Sequence, residues 1–311
     1  VPRNAGSTVP SHKYQGCRRH IMVLHRFHSC GTHLTDPEQA AEMARLLDQD
    51  RLFMHAMGGP FGERSDNDLT TIFDVLNIAC GPGSWVLEVA HSYPEMEIVG
   101  IDSSKTMIGY ARAHAQVRDL PNAHFYTMNI LQPLDIPDET FDLISIHSII
   151  NRIPPNFCPQ LLSECMRILR PGGSIRICEG DWGSGNTLAF ETLSGLLAQA
   201  MQQTGQSFSP TGRTIGPLPM IAHLLRKADF QNVRSKADIL DFSAGTQPHE
   251  GMYQNYSILF KLAEPCLLNM HIIEENTFDE LYDLALTEML SDDFCAAWTL
   301  LTAWGNKPAA P

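Results

Sequence analysis

Positive charge is scarce in this chain. Its 22 Lys and Arg stand against 35 Asp and Glu, a formal charge of −13. That deficit argues against a nucleic-acid partner, because phosphate contacts need a basic surface that displaces counterions. It equally disfavours docking on an anionic membrane. No run reaches the ~18 consecutive apolar residues of a transmembrane helix. The eight cysteines form no C-x-x-C pair, and Cys80, Cys165 and Cys178 sit inside apolar runs, where thiols act as small buried hydrophobes. These absences predict a cytoplasmic protein, a monomer or homodimer, in a reducing compartment. No internal repeat is visible.

Residues 1–35 lack hydrophobic periodicity and the ordered regions of a secretory signal, which predicts a flexible tail. The tail holds Cys17, His20, His25, His28, Cys30 and His33, but without the paired spacing and small folded unit of a zinc site; no metal is expected. A cap helix is predicted from Asp36, with Pro37 in its first turn, Gln39 completing a capping box, and Ala40, Met43, Ala44 and Leu47 on one apolar face. This cap region runs over 36–68.

From 69 to 182 the pattern changes. Apolar runs at 73–79, 97–101, 124–128, 141–147 and 174–180 alternate with helical stretches at 84–92, 104–116 and 158–169. Such alternation predicts a parallel sheet covered on both faces. Pro171-Gly172-Gly173 reads as the turn that closes the last helix. The C-terminal part, 183–311, carries further helices and strands near 231–242 and 294–304, with long insertions at 183–216 and 243–293. In the second insertion Met252, Tyr253, Tyr256, Leu259 and Phe260 share a helical face. A Thr277-x-x-Glu280 box opens the next helix, with Phe278, Leu281, Tyr282, Ala285 and Met289 inward.

The chemistry concentrates at Val75–Gly83, where an apolar strand runs into Gly81-Pro82-Gly83 and a helix begins at Ser84. Glycines let the backbone bend sharply and approach a ligand closely. Nineteen residues past Gly83 the second strand ends in Asp102, whose carboxylate can accept from both hydroxyls of a ribose. A dinucleotide fingerprint would need Gly or Ala where Val86 stands, and Pro82 has no N–H to offer a phosphate. The Walker loop is absent. A ligand with a ribose but no pyrophosphate fits.

Here the chain resembles the class I S-adenosylmethionine-dependent methyltransferases, in particular the small-molecule group that includes the ubiquinone-biosynthesis type. Val75–Gly83, Asp102, Met128-Asn129-Ile130, Phe141-Asp142-Leu143-Ile144 and Leu169-Arg170-Pro171-Gly172-Gly173 match its motifs in order. The resemblance implies an α/β, Rossmann-like, doubly wound sheet of seven strands in the order 3-2-1-4-5-7-6, the seventh antiparallel, with helical cap insertions. It implies S-adenosylmethionine as cofactor, S-adenosylhomocysteine as product, and methyl transfer to O, N or C of a small, largely apolar acceptor. The cofactor would be bound by Asn77, Ala79, Gly81, Gly83, Asp102, Ser103, Met107, Asn129 and Ile130. Two positions depart from the family, which usually has an acid at 77 and glycine at 79. Asn77 can accept a hydrogen bond from the cofactor's ammonium but adds no charge.

Candidates for proton removal lie past the carboxyl ends of the strands. His147 is placed either as a base or as a cofactor-binding residue. Glu179 and Asp181 are placed either as catalytic acids or as partners of Arg152 and helix caps. Asn151, Trp182, Tyr253 and Tyr256 are assigned to the acceptor pocket, although aromatics at helical spacing also serve as plain core. Two alternatives keep the fold and change the activity: a cyclase that uses the sulfonium as a fixed charge, and a non-catalytic binding module.

Overall fold

The computed structural model describes residues 34–36, 38–150 and 152–309. One sheet contains β1 (Asp74–Ile78), β2 (Glu97–Asp102), β3 (Ala123–Thr127), β4 (Phe141–His147), β5 (Leu169–Gly180), β6 (Ser184–Gly185), β7 (Gln231–Asp241) and β8 (Ala296–Asn306). Its order is β3-β2-β1-β4-β5-β8, with β6 and β7 both paired to β8. The first five strands run parallel, and β8 is antiparallel to β5. This is the predicted order, with the two-residue β6 added.

The helices are α1 (Ala40–Met57), α2 (Asp66–Leu69), α3 (Ser84–Ser92), α4 (Lys105–Val117), α5 (Cys158–Ile168), α6 (Leu188–Gln203), α7 (Leu218–Lys227), α8 (His249–Asn269) and α9 (Glu275–Met289). Val75, Leu76 and Ile78 are wholly buried, as a strand covered on both faces requires. One apolar cluster packs α3 and α4 on one face, and another packs α5 and α7 on the other. A third joins α1, α6, α8 and α9 over β7 and β8 into a helical cap. None of the helices among the described residues is long and apolar enough to cross a membrane.

Four local expectations are corrected. Helix α1 starts at Ala40 with Gln39 as its N-cap, because the Asp36 side chain is spent on the backbone N–H of Glu38 in a preceding turn. Its buried stripe is Glu42, Arg45, Gln49, Phe53 and Met57, rather than the Ala40–Leu47 face. Helix α9 begins before Thr277, with Glu274 as N-cap. Gly172 and Gly173 lie within β5, where the register slips between Phe141 and Leu143, and they exchange backbone hydrogen bonds with Lys307 beyond β8. A glycine pair in a strand that looks like a turn is here a bulge. Pro37, Asn151 and the His- and Cys-bearing stretch 17–33 lie outside the described residues.

Candidate active site

At the carboxyl ends of β1, β2 and β4 the backbone opens a cavity of about 450 Å³. Its floor is the turn after β1. Cys80 N–H donates to Ile101 O at 2.9 Å, and Gly81 adopts φ +53°. A Cβ built on Gly81 meets nothing within 4 Å, so this position faces open space. Gly83 differs: a Cβ there would sit 2.8 Å from the Phe125 ring and 2.9 Å from Ala111. Gly81 therefore belongs to the cavity, whereas Gly83 lets α3 pack on the sheet and does not line it. Ala79 lines the cavity at φ +54°, a left-handed conformation that suits glycine and strains an alanine.

Asp102 ends β2 with its carboxylate turned back on this floor. One oxygen accepts from Gly81 N–H at 2.9 Å and the other from Ser104 N–H at 2.8 Å. A carboxylate offers roughly four acceptor positions, so two remain for a ligand. Ser103, buried Met107, Asn129 and Ile130 continue the same wall. Asn129 Oδ1 accepts from Leu131 N–H at 3.0 Å, an Asx-type turn that fixes the loop after β3. Asn77 faces the cavity from β1 and donates through Nδ2 to Ser145 O.

His147 also lines the cavity, but its Nε2 lies 2.9 Å from Ser145 Oγ and against Arg176 Nη1. Arg176 is wholly buried and has no lone pair, so the imidazole must accept there. Burial, then the guanidinium charge, hold His147 well below the usual histidine pKa. A neutral ring accepting at Nε2 carries its proton on Nδ1. The other two acids predicted as catalytic do not line the cavity. Glu179 is fully buried: one oxygen accepts from Ile149 and Ile150 N–H at 2.8 and 2.7 Å, and burial pushes its pKa up to about 8. Asp181 accepts from the backbone N–H groups of Trp182, Ile215 and Gly216, pinning the 205–216 loop.

The cap closes the cavity with residues the sequence did not single out. Asp50 of α1 lines it and accepts from Ser84 Oγ at 2.8 Å; burial raises its pKa to about 6. Glu38, just ahead of α1, accepts from Ser104 Oγ at 2.9 Å. The cap thus touches the first turn of α3 and the N-cap of α4, on opposite rims. The one available signal was the run Glu42, Arg45, Gln49, Phe53, Met57: polar residues continuing an apolar stripe at helical spacing mark a buried polar face.

A smaller compartment of about 80 Å³ adjoins the cavity, and Gln49, Ser148, Arg152 and Gln206 line both. Ser148 is held at φ +48° at this junction, the kind of strained backbone found at functional sites. Trp182 lines the compartment as expected. Tyr256 does not: it is buried in the cap core with its hydroxyl accepting from Gly183 N–H at 3.0 Å. Tyr253 packs at the edge of that core and lines neither space.

Residues 75–173 match a protein-family model described as a methyltransferase domain. The chain is 33% identical over 107 residues to "Probable methyltransferase ltbC" of Aspergillus luteorubrus, covering 32% of this chain and 38% of that one. It is 26% identical over 152 residues to "Methyltransferase str2" of Strobilurus tenacellus, covering 46% and 50%. To the ubiquinone/menaquinone biosynthesis C-methyltransferase UbiE of Geobacter sulfurreducens it is 37% identical over 108 residues, covering 34% and 41%. The chain thus spans half or less of the length of these curated relatives. A solved structure of Haemonchus contortus phosphoethanolamine N-methyltransferase 2 with S-adenosyl-L-methionine overlays with a TM-score of 0.44 at 17% identity, over 76% of this chain and 49% of that one. That likeness is too loose to bear on the site. Residues 75–173 thus match a methyltransferase domain, and the order of the sheet's strands agrees with that match.

Proposed function

We propose that the chain binds S-adenosylmethionine in the cavity after β1 and β2 and transfers its methyl group to O, N or C of a small organic molecule seated at the junction with the second compartment. One observation carries this reading: Asp102, bonded to Gly81 N–H, presents a carboxylate with spare acceptor capacity beside a glycine whose missing Cβ leaves open space. That cradle fits a ribose. Met107 and Ile130 offer apolar contact to a purine, and Asn129 stands at its edge. Asp50 brings to the cavity the carboxylate that position 77 lacks, and it is mostly ionised at pH 7 with a pKa of about 6. It is suited to an ammonium group.

When bound, the cofactor supplies an electrophilic methyl carbon on a sulfonium sulfur. The protein's share is alignment and exclusion of water. The contacts Asp50–Ser84 and Glu38–Ser104 tie the cap to the N-terminal ends of α3 and α4 beside the cavity. His147 orients rather than deprotonates, because its Nε2 lone pair is engaged by Arg176. Glu179 and Asp181 hold loops through backbone N–H groups and stand outside the reacting space. The insertions at 183–216 and 243–293 contribute cap core and loop, with Trp182 facing the acceptor.

Titration calorimetry of the whole chain with S-adenosylmethionine and S-adenosylhomocysteine tests the reading. Both should bind, and Asp102→Ala should weaken each by about 1.5–3 kcal/mol, the range for a hydrogen bond to a charged group. Absence of binding heat in the unmodified chain rejects the function. An unchanged dissociation constant in the variant rejects the role of Asp102.

A further inference from the structure

The second compartment carries more chemistry than an apolar slot. Its walls include Phe53, Trp182, Trp298 and Leu259, with Phe53 and Trp298 in edge contact at 5.0 Å. Both indole N–H groups, of Trp182 and Trp298, are buried without a hydrogen-bond partner among the described residues, and Trp298 itself is 4% exposed. A buried donor left unpaired costs about 1–3 kcal/mol, so two in one small space ask for an acceptor. The missing Cβ of Gly180 points at one of them. An atom placed there would lie 2.5 Å from Trp298 Nε1.

Charge adds the second half. Glu42 is matched by Arg45, which grips both its oxygens at 2.6 and 2.9 Å. Arg152 stands 3.9 Å from the same carboxylate, too far for a hydrogen bond, and no other side-chain partner holds its guanidinium among the described residues. The ionisable groups lining the compartment are Glu42, Arg45 and Arg152, which leaves one positive charge over in a chain of net charge −13. The buried carboxyls of Asp50 and Glu179 also feel the Arg152 charge, but neither forms an ion pair with it among the described residues.

Resting on the cofactor reading above, we propose that the methyl acceptor is a small organic acid, whose carboxylate enters this compartment and accepts from the Trp182 and Trp298 indoles and the Arg152 guanidinium. Size sets its orientation. A cavity of ~150 Å³ holds benzene, so ~80 Å³ admits a carboxylate with a few carbons but not a ring. The body of the acid lies at the junction lined by Ser148 and Gln206. The carboxylate is thus the recognition handle, and the methylated atom is on the body, facing the larger cavity.

The test uses the whole chain saturated with S-adenosylhomocysteine and a near-isosteric pair of probes, phenylacetate and phenylacetamide, followed by calorimetry and tryptophan fluorescence. Phenylacetate should bind about ten-fold or more tightly than the amide, since each 1.4 kcal/mol is a factor of ten. Arg152→Gln should erase that preference. Trp182→Phe, which removes only an N–H from a flat wall, should weaken phenylacetate by a smaller factor. Equal binding of acid and amide, or no binding of either, overturns the proposal and leaves the cofactor site intact. Weaker S-adenosylhomocysteine binding in Trp182→Phe also overturns it, because Trp182 lines the second compartment and not the larger cavity. No binding of S-adenosylhomocysteine to the unmodified chain defeats the function reading itself.

Discussion

The two walls of the site are made differently. The sheet wall is backbone: a turn at Gly81, a strand end at Asp102 and a loop at Asn129, each fixed by main-chain hydrogen bonds. The cap wall is side chain: Glu42, Arg45, Gln49 and Asp50 on α1 meet Arg152, Gln206 and Asn255 from three distant segments. A backbone demand is met by few residue types at fixed spacing. A side-chain cluster can be assembled from any sequence distance. The first kind of wall suits a ligand that never changes, and the second one that does.

Five substitutions probe that division, starting with the largest effect. Glu179 belongs to the sheet but behaves like the cap, since its buried carboxyl rather than backbone geometry holds the 148–150 loop. Its pKa rises from an ordinary 4.5 to about 8, so the stability it contributes is full below pH 4.5 and is lost as pH climbs through 8. Linkage sets the slope at about 1.4 kcal/mol per pH unit within that window. Urea unfolding at pH 5 and pH 8 should show the decline, and Glu179→Gln should flatten it. A variant with the parental pH profile would remove Glu179 from this role.

Next is Glu63, whose two oxygens clasp the wholly buried Arg176 at 2.7 and 3.0 Å, with Phe61 and Trp85 rings 5.9 and 5.8 Å from the guanidinium carbon. Glu63→Ala leaves that cation unpaired and should cost about 3–5 kcal/mol in chemical denaturation. With its counter-ion gone, the guanidinium bears harder on His147, so an NMR titration should show that imidazole pushed further below the ordinary histidine range. A smaller contrast separates the two glycines. Gly83→Ala should lose about 1–3 kcal/mol by overpacking against Phe125 and Ala111, beyond the ~1–2 kcal/mol of left-handed strain that Gly81→Ala alone bears. Cofactor affinity should fall more in Gly81→Ala, and the reverse order would exchange their roles.

The smallest effect is expected at Ala79. Ala79→Gly relieves the strain at φ +54° and gives part of it back as unfolded-chain entropy, a net gain of about 0.5 kcal/mol in thermal unfolding. A loss there would mean that the Ala79 methyl packs against something worth more than the strain.

Much of the sheet was legible from sequence because burial on both faces leaves continuous apolar runs, and crossover helices separate them. The strand order came from the resemblance to a known family, and Gly172 and Gly173, which looked like a turn, form a bulge clasped by Lys307. Asp102 was legible as a cavity residue too, since it lies at a set distance from Gly81. His147 was legible as a cavity residue but not as an acceptor, because Arg176 reaches it from the neighbouring strand. The aromatic residues of α8 misled for a general reason: a buried helix and a pocket wall share one periodicity. Asp50 left no mark and Arg152 only that of a possible partner for Glu179 or Asp181, since nothing local to a charged residue says which way its helix or loop will turn it.

The seam between β5 and β8 reaches beyond this site. The family-matched stretch ends at 173, yet β5 runs on to Gly180, and β8, from the far end of the chain, pairs with Ser174 through Gly180. Cutting a gene at the family boundary would therefore split a strand and discard its neighbour. It would also remove both Arg176 and its counter-ion Glu63, leaving Ser145 and His147 without their guanidinium partner. Chimeras between relatives should keep both termini from one parent, so that the paired edges of β5 and β8 stay matched.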